Sequence, residues 1–412
     1  MNYSYSFKFL WLGQSLANLA DSFYMLAIVT LIYGKTGSAA ISAFIPVIRI
    51  IAKFISGIIS PLLLERYRLL PLLIIAQGSQ TLLMGLLILS IDWWKDSASL
   101  TLVIWLFIIL LAFFDGWTNP ARNSLIPRLV TKEQLVKANG LLSTSDQTVL
   151  LVGWGAGGML IELLGAHQVL WLTAVCFLIS TLSLFFIHDP HRKERISVEK
   201  TSHRKAMKEG WQLLFRHPVL KRLAAIDFLD YTASSVWIGA ITLTFVDKVL
   251  HEQHTWWGFI NSSYFLGTMI GGMLVIRYSQ SIEKRLYKIL IFSGFASILF
   301  KLIFGFVTFP VISLITIFLL GFPYQAKGVA KKTLYQLHTT LDTMPKVFSA
   351  QYALCCVAYG TSCFLMGWVA DHFSVQWVYV IAAVASTVAT VVSYPLKKFE
   401  ARTIPVRSQS MT

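Results

Sequence analysis

The sequence predicts an all-α membrane protein with twelve transmembrane helices in two six-helix halves. Three observations carry that prediction. The 412 residues are 56% hydrophobic and only 13% charged, about half the charge of an ordinary soluble domain. The apolar residues gather in twelve runs, near 9–33, 42–64, 71–91, 98–121, 138–163, 168–187, 220–246, 256–278, 286–307, 310–328, 348–370 and 374–396, of bilayer-crossing length. With both termini inside, the 35 Lys and Arg divide into 29 cytoplasmic, 3 external (Lys35, Lys95, Lys248) and 3 intramembrane (Arg49, Lys53, Lys301), as the positive-inside rule requires. The formal charge of +15 thereby belongs to topology, and no nucleic-acid partner is expected.

The first run carries Gln14, Asn18 and Asp21, which share one narrow face at about 100° per residue. The second carries Arg49 and Lys53, four apart. Charges inside a membrane segment cost several kcal/mol unless paired or wet. Counting a rise of about 1.5 Å per residue, Asp21 lies about 20 Å above Lys8 and Arg49 about 24 Å above Glu65. The two are therefore level, so a salt bridge or a shared cavity is open to them. Trp93-Trp94 and Trp256-Trp257 fall at outer interfaces, as an aromatic belt would. All four cysteines lie in apolar runs and read as small packing residues rather than a disulfide framework.

Two loops carry more specific patterns. After the second run comes Ser60-Pro-Leu-Leu-Leu-Glu-Arg-Tyr-Arg68, and after the fourth Asn119-Pro-Ala-Arg-Asn-Ser-Leu-Ile-Pro127, followed by Glu133-Gln-Leu-Val-Lys-Ala-Asn-Gly140. These residues, with Glu209-Gly-Trp-Gln-Leu-Leu-Phe-Arg-His-Pro218, resemble the major facilitator superfamily, in its drug:proton antiporter branch with macrolide and enterobactin exporters. The resemblance extends over essentially the whole chain and implies the major facilitator fold. In relatives the loop after the second helix helps lock helices on the cytoplasmic side. Here Glu65 and Arg66 keep its acid–base pair, while Pro61 replaces its first Gly. Gly140, Gly153, Gly157 and Gly158 resemble the antiporter motif of the fifth helix, with Val149 and Trp154 as departures; ordinary close packing of small residues is the other reading.

The segment 188–218 is a basic cytoplasmic linker between an N-terminal bundle, 1–187, and a C-terminal bundle, 219–412. Its portion near Trp211 to Phe215 is expected to lie on the anionic inner leaflet. The halves should be parallel repeats with a binding cavity between them. The seventh run then corresponds to the first, with Asp227, Asp230 and Ser234 on one face.

These readings set the site. Asp21, Arg49, Asp227 and Asp230 are candidates for proton coupling, and Asp21 stands where many relatives have a first-helix acid. A structural Asp21–Arg49 pair is the other reading. Gln14, Asn18, Lys53 and Ser234 are candidate cavity residues. Glu65, Arg66, Asp115 and Asp146 are candidate gating residues, and Gly153, Gly157 and Gly158 pack helices. Lys301 has no evident partner and is expected to snorkel outward. No metal-ligand spacing, phosphate loop or ATPase module is present. An enzyme is therefore not expected, and no cofactor beyond the proton gradient is required.

The expected protein is a monomeric, proton-coupled exporter of amphipathic organic compounds in a bacterial inner membrane. Its partners are that substrate, protons and the lipid bilayer. A dedicated exporter of one metabolite, such as a siderophore or a lipid-like precursor, is the alternative. The charges do not choose a substrate sign, because intramembrane bases suit anions and acids suit lipophilic cations.

Overall fold

A computed structural model describes residues 3–93, 99–189, 203–234, 236, 239–253 and 255–399. No strand occurs among them. The α-helices are α1 (Tyr5–Thr36), α2 (Ala39–Arg66), α3 (Leu69–Trp93), α4 (Ser99–Leu129), α5 (Leu135–Leu164), α6 (Ala166–Leu184), α7 (His203–Arg216) and α8 (Pro218–Ser234). They continue as α9 (Gly239–Phe245), α10 (Thr255–Arg277), α11 (Ser279–Glu283), α12 (Leu286–Phe306), α13 (Pro310–Leu337), α14 (Met344–His372) and α15 (Val375–Ser393). Eleven described helices are long and apolar enough to cross a membrane.

The helix ends are written in the sequence. The Ser4 hydroxyl accepts from the Phe7 amide at the start of α1. Gly37, at φ 62°, ends it and donates its amide to the Tyr33 carbonyl. Ser38 caps α2 in the same way as Ser4 caps α1. Prolines 46, 61, 120, 127 and 323 lie inside helices, where membrane helices tolerate them through neighbouring contacts. The expected span 220–246 is not one helix. It is built from α8, α9 and a π-helical turn, Val246–Leu250, that stops at His251 with φ 54°.

Two compact units emerge. Unit 1 comprises Met1–Thr131, Ser145–Leu214 and Leu341–Gly360; unit 2 comprises Lys132–Thr144, Phe215–Thr340 and Thr361–Thr412. The core of unit 1 is built from α1, α2, α3, α4 and α6, around Tyr24, Ile28, Ile45, Met84 and Ile108. In unit 2 the rings of Phe245, Phe304 and Tyr379 form a mutual cluster with centroids 4.8–5.3 Å apart.

Helix α7 is held in part by protein. Leu214 is fully buried in protein, and Glu209 meets Lys346 at the start of α14 at 2.7 Å. Gly210 sits so close that an added Cβ would stand 2.5 Å from the Lys346 carbonyl oxygen. Only a glycine permits that approach.

Candidate functional site in the membrane helices

In unit 1 the polar face of α1 divides between two neighbours. Asp21 pairs with Arg49 of α2 through a short charged hydrogen bond. The guanidinium is 9% exposed and the carboxylate 38%, so the base is sealed while the acid keeps an open side. The Tyr24 ring lies 5.4 Å from the same guanidinium, adding a cation–π contact. One turn earlier, Gln14 donates to Asn18 at 2.9 Å, and Asn18 donates to Asp146 of α5 at 2.6 Å. Asp146 also accepts from Arg122 at 3.4 Å, and Arg122 donates to Asn119 at 3.1 Å. Lys53 pairs with Asp115 of α4, which ties α2 to α4.

The helix crossings hold these charges in place. Trp11 donates to Ser145 at 2.6 Å, and a Cβ on Gly153 would stand 2.7 Å from that of Ser22. Gly157 faces Leu26 and Phe23, whereas Gly158 faces open space, with nothing within 4 Å of an added Cβ. The two neighbouring glycines are therefore not equivalent. The side chains of Glu65 and Arg66 lie outside the described residues; their backbone closes α2.

Unit 2 holds a denser group. Asp230 accepts from Lys327 at 2.6 Å and from Lys331 at 2.7 Å, and Lys331 also meets Asp227 at 2.7 Å. Ser234 returns its hydroxyl to the Asp230 carbonyl at 2.7 Å, so its first partner is its own helix. Lys301 is 7% exposed and donates to Ser386 of α15 at 2.8 Å. The snorkelling expectation is corrected, since the ammonium is turned inward. Three further bases, Lys327 and Lys331 of α13 and Arg122 of α4, stand in helices long and apolar enough to cross a membrane. Arg122 stood inside the Asn119–Pro127 pattern; the four-residue spacing of Lys327 and Lys331 and the three-residue spacing of Asp227 and Asp230 each put both charges on one helix face.

Outside the spans, the His338 ring meets the Tyr287 hydroxyl at 2.7 Å, with His217 5.6 Å away between ring centroids. Burial, then the neighbouring His217, lowers the His338 pKa to about 4. Burial lowers that of His217 as well. No cluster of His, Cys, Asp and Glu suited to a metal ion occurs among the described residues.

Apolar helices long enough to span a bilayer, with acids and bases paired between them, mark an integral membrane protein. The chain belongs to the Major Facilitator Superfamily, whose family model matches residues 10–326. It is 31% identical over 388 residues to the uncharacterized MFS-type transporter YfmI of Bacillus subtilis (strain 168), covering 94% of this chain and 95% of that one. It is 20% identical over 283 residues to macrolide efflux protein A of Streptococcus pyogenes, covering 66% and 67% of the two chains. Among solved structures, a bacterial homologue of the iron transporter ferroportin in an outward-facing state shares the fold. The TM-score is 0.76 at 15% identity, covering 95% of this chain and 99% of that one. The protein is a membrane transporter with the major facilitator fold and not an enzyme.

Proposed function

We propose that this transporter exports amphipathic organic compounds in exchange for protons by alternating access. The observation that carries the reading is the Asp21–Arg49 pair between α1 and α2. For Asp21 to carry a proton, its contact with Arg49 must open in one of the two access states. The open side of Asp21 gives a proton a route, and the sealed side of Arg49 gives the acid a fixed partner to return to. Gln14, Asn18 and Lys53 line the same helices and supply polar contacts for substrate, while Asp115 and Asp146 brace the helices that must move. Asp227 and Asp230 are the second coupling candidates. The name of macrolide efflux protein A supports the outward direction. The setting is a bacterial inner membrane with both termini cytoplasmic, which reporters fused after Lys205 and Lys398, and one at Asp96 expected outside, would test.

The direct experiment is substrate-induced proton release from purified protein in weak buffer, across a compound panel. Release is expected with wild type and not with Asp21→Asn. Release that persists in the variant transfers the coupling role to Asp227 and Asp230; no release with any compound overturns proton exchange. A dedicated exporter of one metabolite is the second reading, favoured by the charge excess in unit 2, because one fixed charge selects one kind of head group.

A further inference from the structure

One group of charges among the described residues of unit 2 does not balance. Asp227 and Asp230 are committed to Lys327 and Lys331 through three contacts of 2.6–2.7 Å. Lys301 lies within Coulombic reach of Asp230, Lys327 and Lys331, yet its ammonium is hydrogen-bonded to the neutral Ser386 hydroxyl at 2.8 Å. It makes no ion pair among the described residues. The group therefore holds three ammoniums and two carboxylates, a surplus of one positive charge. An ammonium surrounded by protein and satisfied by a single hydroxyl carries a desolvation cost that a counter-anion would offset. The group also has an open flank. Tyr324, Gly328 and Lys331 follow one another along a single face of α13; Tyr324 is 40% exposed, and a Cβ on Gly328 would meet nothing within 4 Å.

We propose that Lys301, Lys327 and Lys331 form an anion-accepting subsite, reached along the Tyr324–Gly328 face, for the carboxylate or phosphate of an amphipathic substrate. The proposal rests on the reading of the chain as a carrier of amphipathic compounds and adds the sign of their charge. The same chemistry is offered by anionic lipid head groups, so the test separates the two sources.

Full-length protein would be placed in zwitterionic-lipid nanodiscs without a pH gradient. Binding would be measured for 1-naphthylacetate, hippurate and N-lauroylglycine, each against its neutral amide. At least one acid is expected to bind about tenfold more tightly than its amide, the scale of a charge-assisted contact in a shielded site. Lys301→Met should reduce that ratio to below about threefold. Ser386→Asp should do the same by the opposite route, placing a carboxylate on the ammonium, and it keeps the test intact where Lys301→Met fails to fold. Lys301→Arg should retain the preference. Acids that bind no better than amides overturn the proposal, as does a preference that survives Ser386→Asp. Added phosphatidylglycerol should leave the acid preference in place; its abolition by that lipid overturns a transported anion in favour of a lipid site. Failure of proton exchange reads differently. An acid that binds through Lys301 but is not driven by a pH gradient leaves this subsite standing, whereas proton-coupled export of compounds that all show equal acid and amide binding removes it.

Discussion

In unit 1, Arg49, Lys53 and Arg122 each meet one acid from a neighbouring helix, whereas in unit 2 two aspartates serve two lysines and a third lysine holds only a hydroxyl. One-to-one pairs can open singly, each costing its own contact. In unit 2 the contacts interlock, because Asp230 is bonded to two lysines and Lys331 to two aspartates. On the proposed reading the two units do different work: separable pairs suit a moving proton, and a fixed positive surplus suits holding a ligand. Tight glycine contacts occur in both units: Gly210 of unit 1 meets the Lys346 backbone and Gly153 and Gly157 meet side chains, while in unit 2 Gly294 and Gly305 meet side chains and an added Cβ on Gly271 would fall 2.8 Å from the Phe322 Cα.

The strongest way to break the comparison is Asp230→Asn. It leaves Lys327 without its carboxylate inside the protein, and the expected loss is about 3–5 kcal/mol of stability together with transport. Adding Lys327→Met should restore folding, read as monodisperse protein and a recovered Tm, without restoring transport. Equal behaviour of Asp230→Asn and Asp21→Asn would erase the distinction between the units.

Asp21→Asn should cost less stability than Asp230→Asn, because it removes one ion pair rather than two and leaves the Tyr24 ring against the Arg49 guanidinium. Its effect is functional: accumulation against a gradient in proteoliposomes should fall to equilibrium while downhill exchange continues. A retained gradient would move coupling out of unit 1. The charge-swapped Asp21→Arg, Arg49→Asp pair should recover folding better than active transport.

A third comparison concerns space. Gly271→Ala drives its Cβ into backbone and should cost about 1–3 kcal/mol. Gly158→Ala should be neutral or stabilising by up to about 1 kcal/mol, since alanine favours the helix and the site is open. Thermal unfolding of the two variants in one detergent decides it. A large loss in Gly158→Ala would contradict the position of that residue.

The smallest expected effect lies outside the spans. The folded pKa of His338, about 4, is below the ordinary histidine value of 6.5, so the unfolded chain binds protons first as pH falls. Stability is therefore complete above pH 6.5 and lost progressively between 6.5 and 4. The loss at pH 5 is about 1 kcal/mol, allowing for partial burial. His338→Gln should flatten that decline in a Tm-versus-pH series; an unchanged slope would assign the decline to other groups.

Most of the helical frame was legible in the sequence because hydropathy and capping are local. Ser4, Gly37 and Ser38 mark their helix ends without reference to anything distant. The Asp21–Arg49 match was legible as well, because two helices of opposite direction make depth a simple count. The lysines of α13 were not. The apolar run falls off near residue 328, but the helix continues to Leu337, so Lys327 and Lys331 read as flanking charge until Asp227 and Asp230 appear beside them. The inward turn of Lys301 depends on Ser386, 85 residues away, which no local pattern announces. The difference between Gly157 and Gly158 likewise depends on which face of α5 meets α1.

The residue content of unit 1 has a consequence for biogenesis. Its third segment, Leu341–Gly360, is made long after its second ends at Leu214. At about 5–20 residues per second, ribosomal synthesis of the intervening chain takes roughly 6–25 s. During that interval Ser60 waits for Ser349, which it will meet at 2.7 Å, and Arg128 waits for the Leu341 carbonyl. Glu209 waits for Lys346 through the same interval. A nascent chain arrested before residue 341 thus lacks these partners of Ser60, Arg128 and Glu209. Synthesis of residues 341–360, rather than insertion of the early helices, is what supplies the last contacts of unit 1.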